Sequence, residues 1–200
     1  MDVCTCLQKL KLCRVLSAAT ADKNGAPQIR CVSAVHYETD RLYFFTARGK
    51  AFCDELLSDG RVQLLACTES DEMIRLSGRA VPAAEQEEKI DTIFAEQPYL
   101  AELYPDDTRN IGIIFELSSF TVEYFNLGER PIFRQTYSVG QTAEPNIYRI
   151  TEACIGCGRC LERCPQRCIL PGERYTIRQE HCLHCGACYE CCPAGAVMKP

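Results

Sequence analysis

Sixteen cysteines are the residues of this chain best suited to chemistry, and ten of them fall in residues 148–200. Two runs there share the pattern C-x-x-C-x-x-C-x-x-x-C-P. The first run contains Cys154, Cys157, Cys160 and Cys164, and the second contains Cys182, Cys185, Cys188 and Cys192. Each cysteine of the second run follows its counterpart by 28 positions. This repeat indicates an internal duplication and one pseudo-symmetric fold.

The spacing within each run suits iron–sulfur clusters. Three cysteines at i, i+3 and i+6 on a tight loop can face one [4Fe–4S] cubane, while the fourth, at the end of a short helix, points to the opposite cluster. Pro165 and Pro193 would end those helices. We therefore expect cluster I to bind Cys154, Cys157, Cys160 and Cys192, and cluster II to bind Cys182, Cys185, Cys188 and Cys164. Structural zinc is the alternative, but it needs four ligands per site and does not explain a duplicated run with prolines.

Residues 148–200 resemble the bacterial ferredoxins that bind two [4Fe–4S] clusters, with small strands expected at 148–151 and 174–178. Two cysteines of this region remain outside the runs. Cys168 corresponds to Ala196 in the repeat, so we expect it to pack beside a cluster as a small residue. Cys191 corresponds to Arg163 and is expected at the surface. His181 and His184 are expected to be solvated residues of the second cysteine loop.

Short strands separated by turns are the pattern of residues 1–127. Strands are predicted at 13–20, 27–38, 41–46, 61–68, 72–83 and, as a pair, within 111–125. Helices are predicted at 3–12, 49–59 and 83–97, and on the second of these we expect Phe52, Leu56 and Leu57 to face inward. About six antiparallel strands with helices between them predict a small closed barrel. Residues 128–147 are interpreted as a linker or arm before the domain at 148–200.

An ordered set of motifs in residues 3–127 resembles the flavin-binding split-barrel family typified by pyridoxamine 5′-phosphate oxidase. The motifs lie at 19–20, 24–27, 30–33, 42–46, 49–50 and 62–64. The resemblance implies a mainly β fold, a six-stranded antiparallel split barrel, that binds FMN at a homodimer interface. It places Arg30, Lys50 and Thr46 beside the FMN phosphate, a dianion that cations and a helix N-terminus stabilise. It places Val32, Ser33 and Phe45 around the isoalloxazine ring.

One departure from that family concerns the substrate. The oxidase itself carries a C-terminal Trp and Arg signature for pyridoxine, whereas this chain has no Trp. Oxidation of pyridoxamine 5′-phosphate is therefore not expected.

Six further cysteines precede residue 148: Cys4, Cys6, Cys13, Cys31, Cys53 and Cys67. The last four lie in strand or helix patterns and are interpreted as small buried residues. Cys4 and Cys6 have no second pair nearby, so no metal site is expected there. His36 is interpreted as a packed or surface residue.

Composition excludes several classes of function. A net charge of −5 argues against a nucleic-acid binder, whose affinity depends on phosphate contacts. No run approaches the roughly 18 apolar residues of a membrane span. The first residues show no signal-peptide pattern, so we expect a cytoplasmic protein with reduced thiols.

Together these features predict an electron relay, because a flavin takes two electrons and each cluster takes one. The favoured function is an iron–sulfur flavoprotein oxidoreductase that moves electrons between two [4Fe–4S] clusters and FMN, to or from a small-molecule substrate. A redox donor or acceptor protein is the expected partner. The alternatives are an electron carrier or FMN-storing protein without a substrate of its own, and a redox sensor. We also expect a homodimer, because residues 111–125 carry more apolar surface than one small barrel needs.

Overall fold

The computed structural model describes residues 1–140 and 146–200. These residues form two compact units. The first contains Met1–Thr68, Met73–Glu123 and residues 137–140, and the second contains Glu69–Glu72, Tyr124–Thr136 and residues 146–200. The predicted linker at 128–147 therefore contributes to both units, and its residues 141–145 lie outside the described residues.

Short helices and strands alternate up to residue 140. The helices are α1 (Val3–Cys13), α2 (Ala51–Ser58), α3 (Gln86–Glu96) and α4 (Tyr99–Leu103), with a 3-10 helix at Asp106–Ile111. The strands are β1 (Leu16–Ala21), β2 (Pro27–Val32), β3 (Val35–Tyr37), β4 (Leu42–Ala47), β5 (Arg61–Cys67), β6 (Glu72–Arg79), β7 (Val81–Pro82), β8 (Gly112–Leu117), β9 (Phe120–Asn126) and β10 (Phe133–Val139).

The strands form two antiparallel sheets. A six-stranded sheet has the order β10-β9-β6-β5-β1-β2, and a four-stranded sheet has the order β3-β4-β8-β7. The predicted antiparallel β architecture is thus confirmed. Neither sheet closes on itself within the described residues, so a closed six-stranded barrel is not confirmed.

Two predicted strands each bend at a corner and change sheet. The predicted strand 27–38 breaks at Ser33 and Ala34, where the Val35 N–H donates to the Ser33 carbonyl oxygen at 2.9 Å. The predicted strand 72–83 breaks at Ala80, between β6 and β7, where the Ala80 N–H donates to the Gly60 carbonyl oxygen at 2.8 Å. Each break sends one half of the strand into the six-stranded sheet and the other half into the four-stranded sheet.

Strand β4 lies at the centre of the core, since all six of its residues are buried. On one face, Phe44 stacks with Phe52 of α2 and Phe115 of β8, with ring centroids 5.8 and 5.9 Å apart. On the other face, Phe45 packs edge-on against Phe94 of α3 at 5.3 Å. A strand with two buried faces fixes the positions of the residues at its ends.

Very short elements form residues 146–200: β11 (Arg149–Ile150), α5 (Arg159–Arg163), β12 (Ile169–Leu170), β13 (Thr176–Ile177), a 3-10 helix at Gln179–His181, α6 (Ala187–Glu190) and β14 (Val197–Met198). The strands predicted at 148–151 and 174–178 are confirmed as β11 and β13, which pair with β14 and β12. The buried core consists of Tyr148, Cys160, Ile169, Cys188 and Val197. None of the described helices is both long and apolar enough to cross a membrane.

Candidate functional site: a cavity between two cations and an aromatic wall, and two cysteine-lined cavities

A cavity of about 410 Å³ in the first unit collects the residues assigned to FMN from the sequence. All six of them line it: Arg30, Val32, Ser33, Phe45, Thr46 and Lys50. Its volume is in the range of small-molecule and cofactor sites. Residues far apart in the sequence thus meet at one place.

Three neighbouring elements bring the polar residues of this cavity together. Arg30 extends from β2, and Thr46 is buried near the end of β4. Helix α2 was predicted to begin at residue 49 and begins at Ala51, so Lys50 is its N-cap residue. The helix N-terminus and both cations therefore face the same cavity, an arrangement that favours an anion.

A buried carboxylate holds the guanidinium group of Arg30. Its Nη2 donates to Glu55 Oε2 at 2.7 Å, and its Nη1 donates to the hydroxyl of Thr20, which itself donates to Glu55 Oε2. The guanidinium carbon also lies 4.6 Å from the centre of the Phe52 ring. Glu55 is only 7% exposed, so Arg30 is fixed in orientation before any ligand binds.

Glu55 and Thr20 were missed by the sequence analysis. A signal for Glu55 existed, because it follows Phe52 by three positions and so shares its face of α2. The same helix corrects another expectation. Leu57, predicted to face inward, is 55% exposed, whereas Cys53 and Glu55 are buried beside Phe52 and Leu56.

Aromatic and aliphatic side chains form the apolar part of the cavity lining. Phe45 lies edge-on to Tyr104, with ring centroids 5.3 Å apart. The close approach of β8 requires Gly112, since a Cβ atom there would lie 1.9 Å from Phe45 Cε2. At the rim, the hydroxyls of Ser33 and Tyr99 are 2.6 Å apart. Helix α4 also contributes Leu103, and no element was predicted at this position.

Two cavities in the second unit are lined by the cysteine runs. One is lined by Cys154, Cys157, Cys160 and Cys192. The other is lined by Cys164, Cys182, Cys185 and Cys188, together with Cys168. Each cavity thus combines three cysteines of one run with the fourth cysteine of the other, as the sequence analysis expects for two clusters. Thiolates grouped in this way are the usual ligands of iron–sulfur clusters. Within residues 1–140 and 146–200, no group of three His, Cys, Asp or Glu side chains is placed to hold a single metal ion.

Backbone geometry is repeated in the two cysteine loops. The N–H groups of Gly156 and Tyr175 bond to the Cys154 sulfur and lower the pKa of that thiol. The pKa of the Cys182 thiol is lowered to about 6, chiefly by the bond that it accepts from the Cys168 thiol and in addition by the N–H of His184. Gly156 has a φ of 68° and His184, its counterpart in the repeat, a φ of 57°. In both loops, therefore, a residue in the left-handed conformation directs its backbone N–H at the sulfur of the first cysteine of the run.

Burial acts in the other direction on the third cysteine of each run. It raises the pKa of the Cys160 thiol, and it raises the pKa of Cys188 to about 11. Gly158 and Gly186, which precede the two short helices, have φ values of 76° and 79°. The two halves of the repeat thus agree in the direction of these pKa shifts and in the conformation of the glycine before each helix.

The two histidines of this unit differ from the expectation of solvated loop residues, which is wrong for both. His181 is half-buried, and its Nδ1 is 2.9 Å from the Ile132 carbonyl oxygen. His184 is also half-buried, with its ring 6.0 Å from that of Tyr148.

The two cysteines outside the runs lie at different places. Cys168 is 3% exposed, and its sulfur is 3.5 Å from that of Cys164, so it packs beside the second cavity. Cys191 is half-buried and donates to the Cys188 carbonyl oxygen at 3.6 Å, so it is less exposed than expected.

The cysteines of the first unit are mixed in their burial. Cys53 is buried as expected, and Cys6 is buried too, but Cys31 and Cys67 are exposed, so the expectation of burial is wrong for these two. Cys4 and Cys13 are intermediate. His36 packs as interpreted, with its Nδ1 3.0 Å from Glu96 Oε2.

Comparison with protein-family models gives two matches. The model described as pyridoxamine 5′-phosphate oxidase matches residues 5–110, and the model described as a 4Fe-4S dicluster domain matches residues 153–196. No curated protein matches the chain.

Several solved structures share the fold. A NimC/NimA family protein from Clostridium acetobutylicum is 19% identical, with 68% of this chain and 91% of that chain covered and a TM-score of 0.57. A protein related to general stress protein 26, of the pyridoxinephosphate oxidase family and also from C. acetobutylicum, is 12% identical, with coverages of 69% and 96% and a TM-score of 0.52. A heme-binding protein from Mycobacterium smegmatis is 14% identical, with coverages of 69% and 58% and a TM-score of 0.54.

Proposed function

The chain belongs to the pyridoxamine 5′-phosphate oxidase family, and from this premise we propose that it is an iron–sulfur flavoprotein that relays electrons between FMN and two [4Fe–4S] clusters. One observation carries the proposal. A single chain holds a cavity with two cations and an aromatic wall, and also two cavities each lined by four run cysteines. Bound FMN would exchange electron pairs with an organic molecule and single electrons with the clusters, which supply one-electron steps.

Arg30 and Lys50 are the residues proposed to bind the FMN phosphate. The buried pair with Glu55 orients the guanidinium group of Arg30, so little conformational freedom is lost when an anion arrives. Lys50 is exposed at the N-terminus of α2 and supplies the second positive charge. Charge-assisted bonds of this kind are about twice as strong as neutral ones.

The isoalloxazine ring is proposed to lie against the apolar part of the same cavity. Phe45 and Val32 are buried there and exclude water from one side. The hydroxyl pair of Ser33 and Tyr99 offers both a donor and an acceptor at the rim. A polar ring edge could bond to this pair while the ring face stays dry.

The crossed cysteine sets are proposed to hold the clusters. Cluster I would bind Cys154, Cys157, Cys160 and Cys192, and cluster II would bind Cys182, Cys185, Cys188 and Cys164. The backbone N–H groups directed at Cys154 and Cys182 would stabilise negative charge on the ligand sulfurs. Such bonds are one of the means by which proteins set cluster potentials.

Anaerobic rapid mixing tests the relay. Full-length protein loaded with FMN, iron and sulfide is mixed with a reduced one-electron donor protein, and bleaching of the flavin band is followed. We expect bleaching to slow at least tenfold in Cys157→Ala, because one cluster is then lost, and to be unchanged in Cys191→Ala. Equal bleaching rates in the wild type and in Cys157→Ala would contradict the relay.

We also propose a homodimer, but not for the reason that the sequence suggested, which was exposed apolar surface in residues 111–125. The large apolar residues of 111–125 are mostly buried within the unit itself, including Ile114, Phe115 and Phe120. Apolar surface is exposed elsewhere: Leu103 at the cavity rim is 65% exposed, and Ile29 on the edge strand β2 is 76% exposed. Leu103 lines the cavity, so a second copy that packs on this residue would also cover the cavity.

Light scattering of the full-length protein tests the dimer. Leu103→Asp places a charge on the rim, and we expect it to shift the mass toward that of a monomer and to weaken FMN binding. The matched control, Leu12→Asp, alters another exposed leucine, 80% accessible, on α1 away from the cavity lining. A wild-type monomer with full FMN affinity would refute the shared interface.

A further inference from the structure

The second cysteine-lined cavity contains one thiol more than its cluster requires. Cys168 lines it together with Cys164, Cys182, Cys185 and Cys188. Its sulfur is 3.5 Å from the sulfur of Cys164, and its thiol hydrogen-bonds to the sulfur of Cys182. Cys168 therefore contacts two of the four expected ligands at once.

The other half of the repeat lacks this fifth thiol. Ala196 stands at the position equivalent to Cys168, is buried, and lines the first cavity. A methyl group thus occupies the place where the second cavity has a sulfur. The remaining extra cysteine, Cys191, directs its thiol to the Cys188 carbonyl oxygen. The two cavities are consequently alike in their four ligands and different at this one position.

A tight turn brings the two neighbouring sulfurs together. Residues 164–168 reverse direction, with the Arg167 N–H donating to the Cys164 carbonyl oxygen at 3.2 Å and Arg167 in a left-handed conformation, φ 50°. Cys168 is only 3% exposed, so its thiol is held inside and has few rotamers to choose from. The backbone places Cys164 and Cys168 as two ligand candidates for one iron.

We propose that Cys168 is a reserve ligand of cluster II, which takes the iron held by Cys164 when that bond is lost. The inference rests on the proposed function, since it requires a cluster in the second cavity. The exchange moves no electrons. The bond between iron and the Cys164 sulfur breaks, the bond between iron and the Cys168 sulfur forms, and the thiol proton of Cys168 passes to Cys164 or to solvent.

The consequence is an asymmetry between clusters that the sequence repeat makes otherwise equivalent. Cluster II would survive the loss of its crossing ligand, whereas cluster I would not, because Ala196 offers no sulfur. Loss of Cys164 and loss of Cys192 should therefore have different results, although the two residues are counterparts in the repeat.

The test measures iron and acid-labile sulfide in full-length protein prepared anaerobically. The wild type should contain about eight irons per chain, and a lower wild-type value would count against the proposed function itself. Cys164→Ala should keep about eight irons, and Cys164→Ala/Cys168→Ala should keep about four, as expected for one cubane. The proposal would be overturned if Cys164→Ala alone lost half of its iron. It would also be overturned if the double variant lost no iron.

The repeat supplies the matched control and a second route to a decision. Cys191→Ala/Cys192→Ala removes the crossing ligand of cluster I and its neighbour, and should keep about four irons. Adding Ala196→Cys to that variant should restore about four irons and the corresponding signal in the electron paramagnetic resonance spectrum of the reduced protein. If Cys164→Ala binds neither cluster, the Ala196→Cys variant decides the question. Restored iron in that variant supports the proposal, and unchanged iron overturns it.

Discussion

The two units build their sites in opposite ways. The cavity of the first unit is assembled from side chains of ordinary types on β2, β4, α2 and α4, around a core that is already closed by residues such as Phe44 and Phe115. The sites of the second unit consist of one residue type at fixed spacing. Two of the five residues of the core cluster in 146–200, Cys160 and Cys188, are themselves expected ligands. The first unit would therefore be stable without its cofactor. The second unit would depend on its cofactors for part of its stability.

Removal of iron should produce the largest difference in behaviour between the two units. With two-residue strands and a small core, residues 146–200 bury little apolar surface to offset the entropy of folding, so the proposed cluster bonds would supply much of their stability. We expect peptides covering 149–163 to lose nearly all amide-exchange protection after chelation, while peptides covering 42–58 keep theirs. The measurement is hydrogen exchange with mass spectrometry.

Removal of FMN by dialysis is the control for that experiment. It should leave the protection of both regions almost unchanged, because the first unit has its own core. Equal loss of protection in the two regions after chelation would break the comparison.

Loss of either contact to the FMN phosphate should weaken FMN binding moderately. Charge-assisted hydrogen bonds contribute about 1.5–3 kcal/mol, so Lys50→Ala should weaken FMN binding roughly ten- to hundredfold. Arg30→Ala should have a similar effect. The affinity is measured by titrating the apoprotein with FMN and following flavin fluorescence.

Lys23→Ala is the matched control for these variants, since Lys23 is an exposed lysine of the turn between β1 and β2. It should leave the affinity as in the wild type. Unchanged affinity in both Arg30→Ala and Lys50→Ala would remove the phosphate assignment.

Packing within the first unit should respond to a single methyl group. A Cβ atom at residue 112 would meet the Phe45 ring at 1.9 Å, so Gly112→Ala forces that ring to move. Overpacking of this kind costs about 1–3 kcal/mol. Thermal unfolding should therefore show a lower Tm for Gly112→Ala, with the iron content unchanged.

Gly49→Ala is the control for Gly112→Ala, because a Cβ atom at residue 49 would have no neighbour within 4 Å. Its Tm should remain close to that of the wild type. A normal Tm in Gly112→Ala would show that Phe45 is not held in place by β8.

The same contrast explains what the sequence could predict. The cysteine sets follow from local spacing and one repeat, so their grouping around two cavities needed no knowledge of tertiary structure. Glu55 was missed because its burial depends on a partner, Arg30, that lies 25 positions away. Leu57 was misassigned because helix periodicity alone does not tell which neighbouring leucine faces the core.

Strand ends were the least predictable elements. The corner at Ser33 and Ala34 interrupts a stretch whose residue types favour one continuous strand, and only the pairing of β3 with β4 reveals the break. Strand β10 was taken for part of a linker, because it lies at a sheet edge with many exposed residues and shows little apolar alternation.

His184 shows what a duplicated segment retains. It adopts the left-handed backbone that Gly156 adopts in the other half, although this conformation costs a side chain with a Cβ about 1–2 kcal/mol. The two loops thus follow the same path, although only one of them has glycine, the residue that adopts this conformation at the lowest cost. What the two copies hold in common is the direction of one N–H toward one sulfur, so the inherited unit is a backbone shape rather than an amino acid.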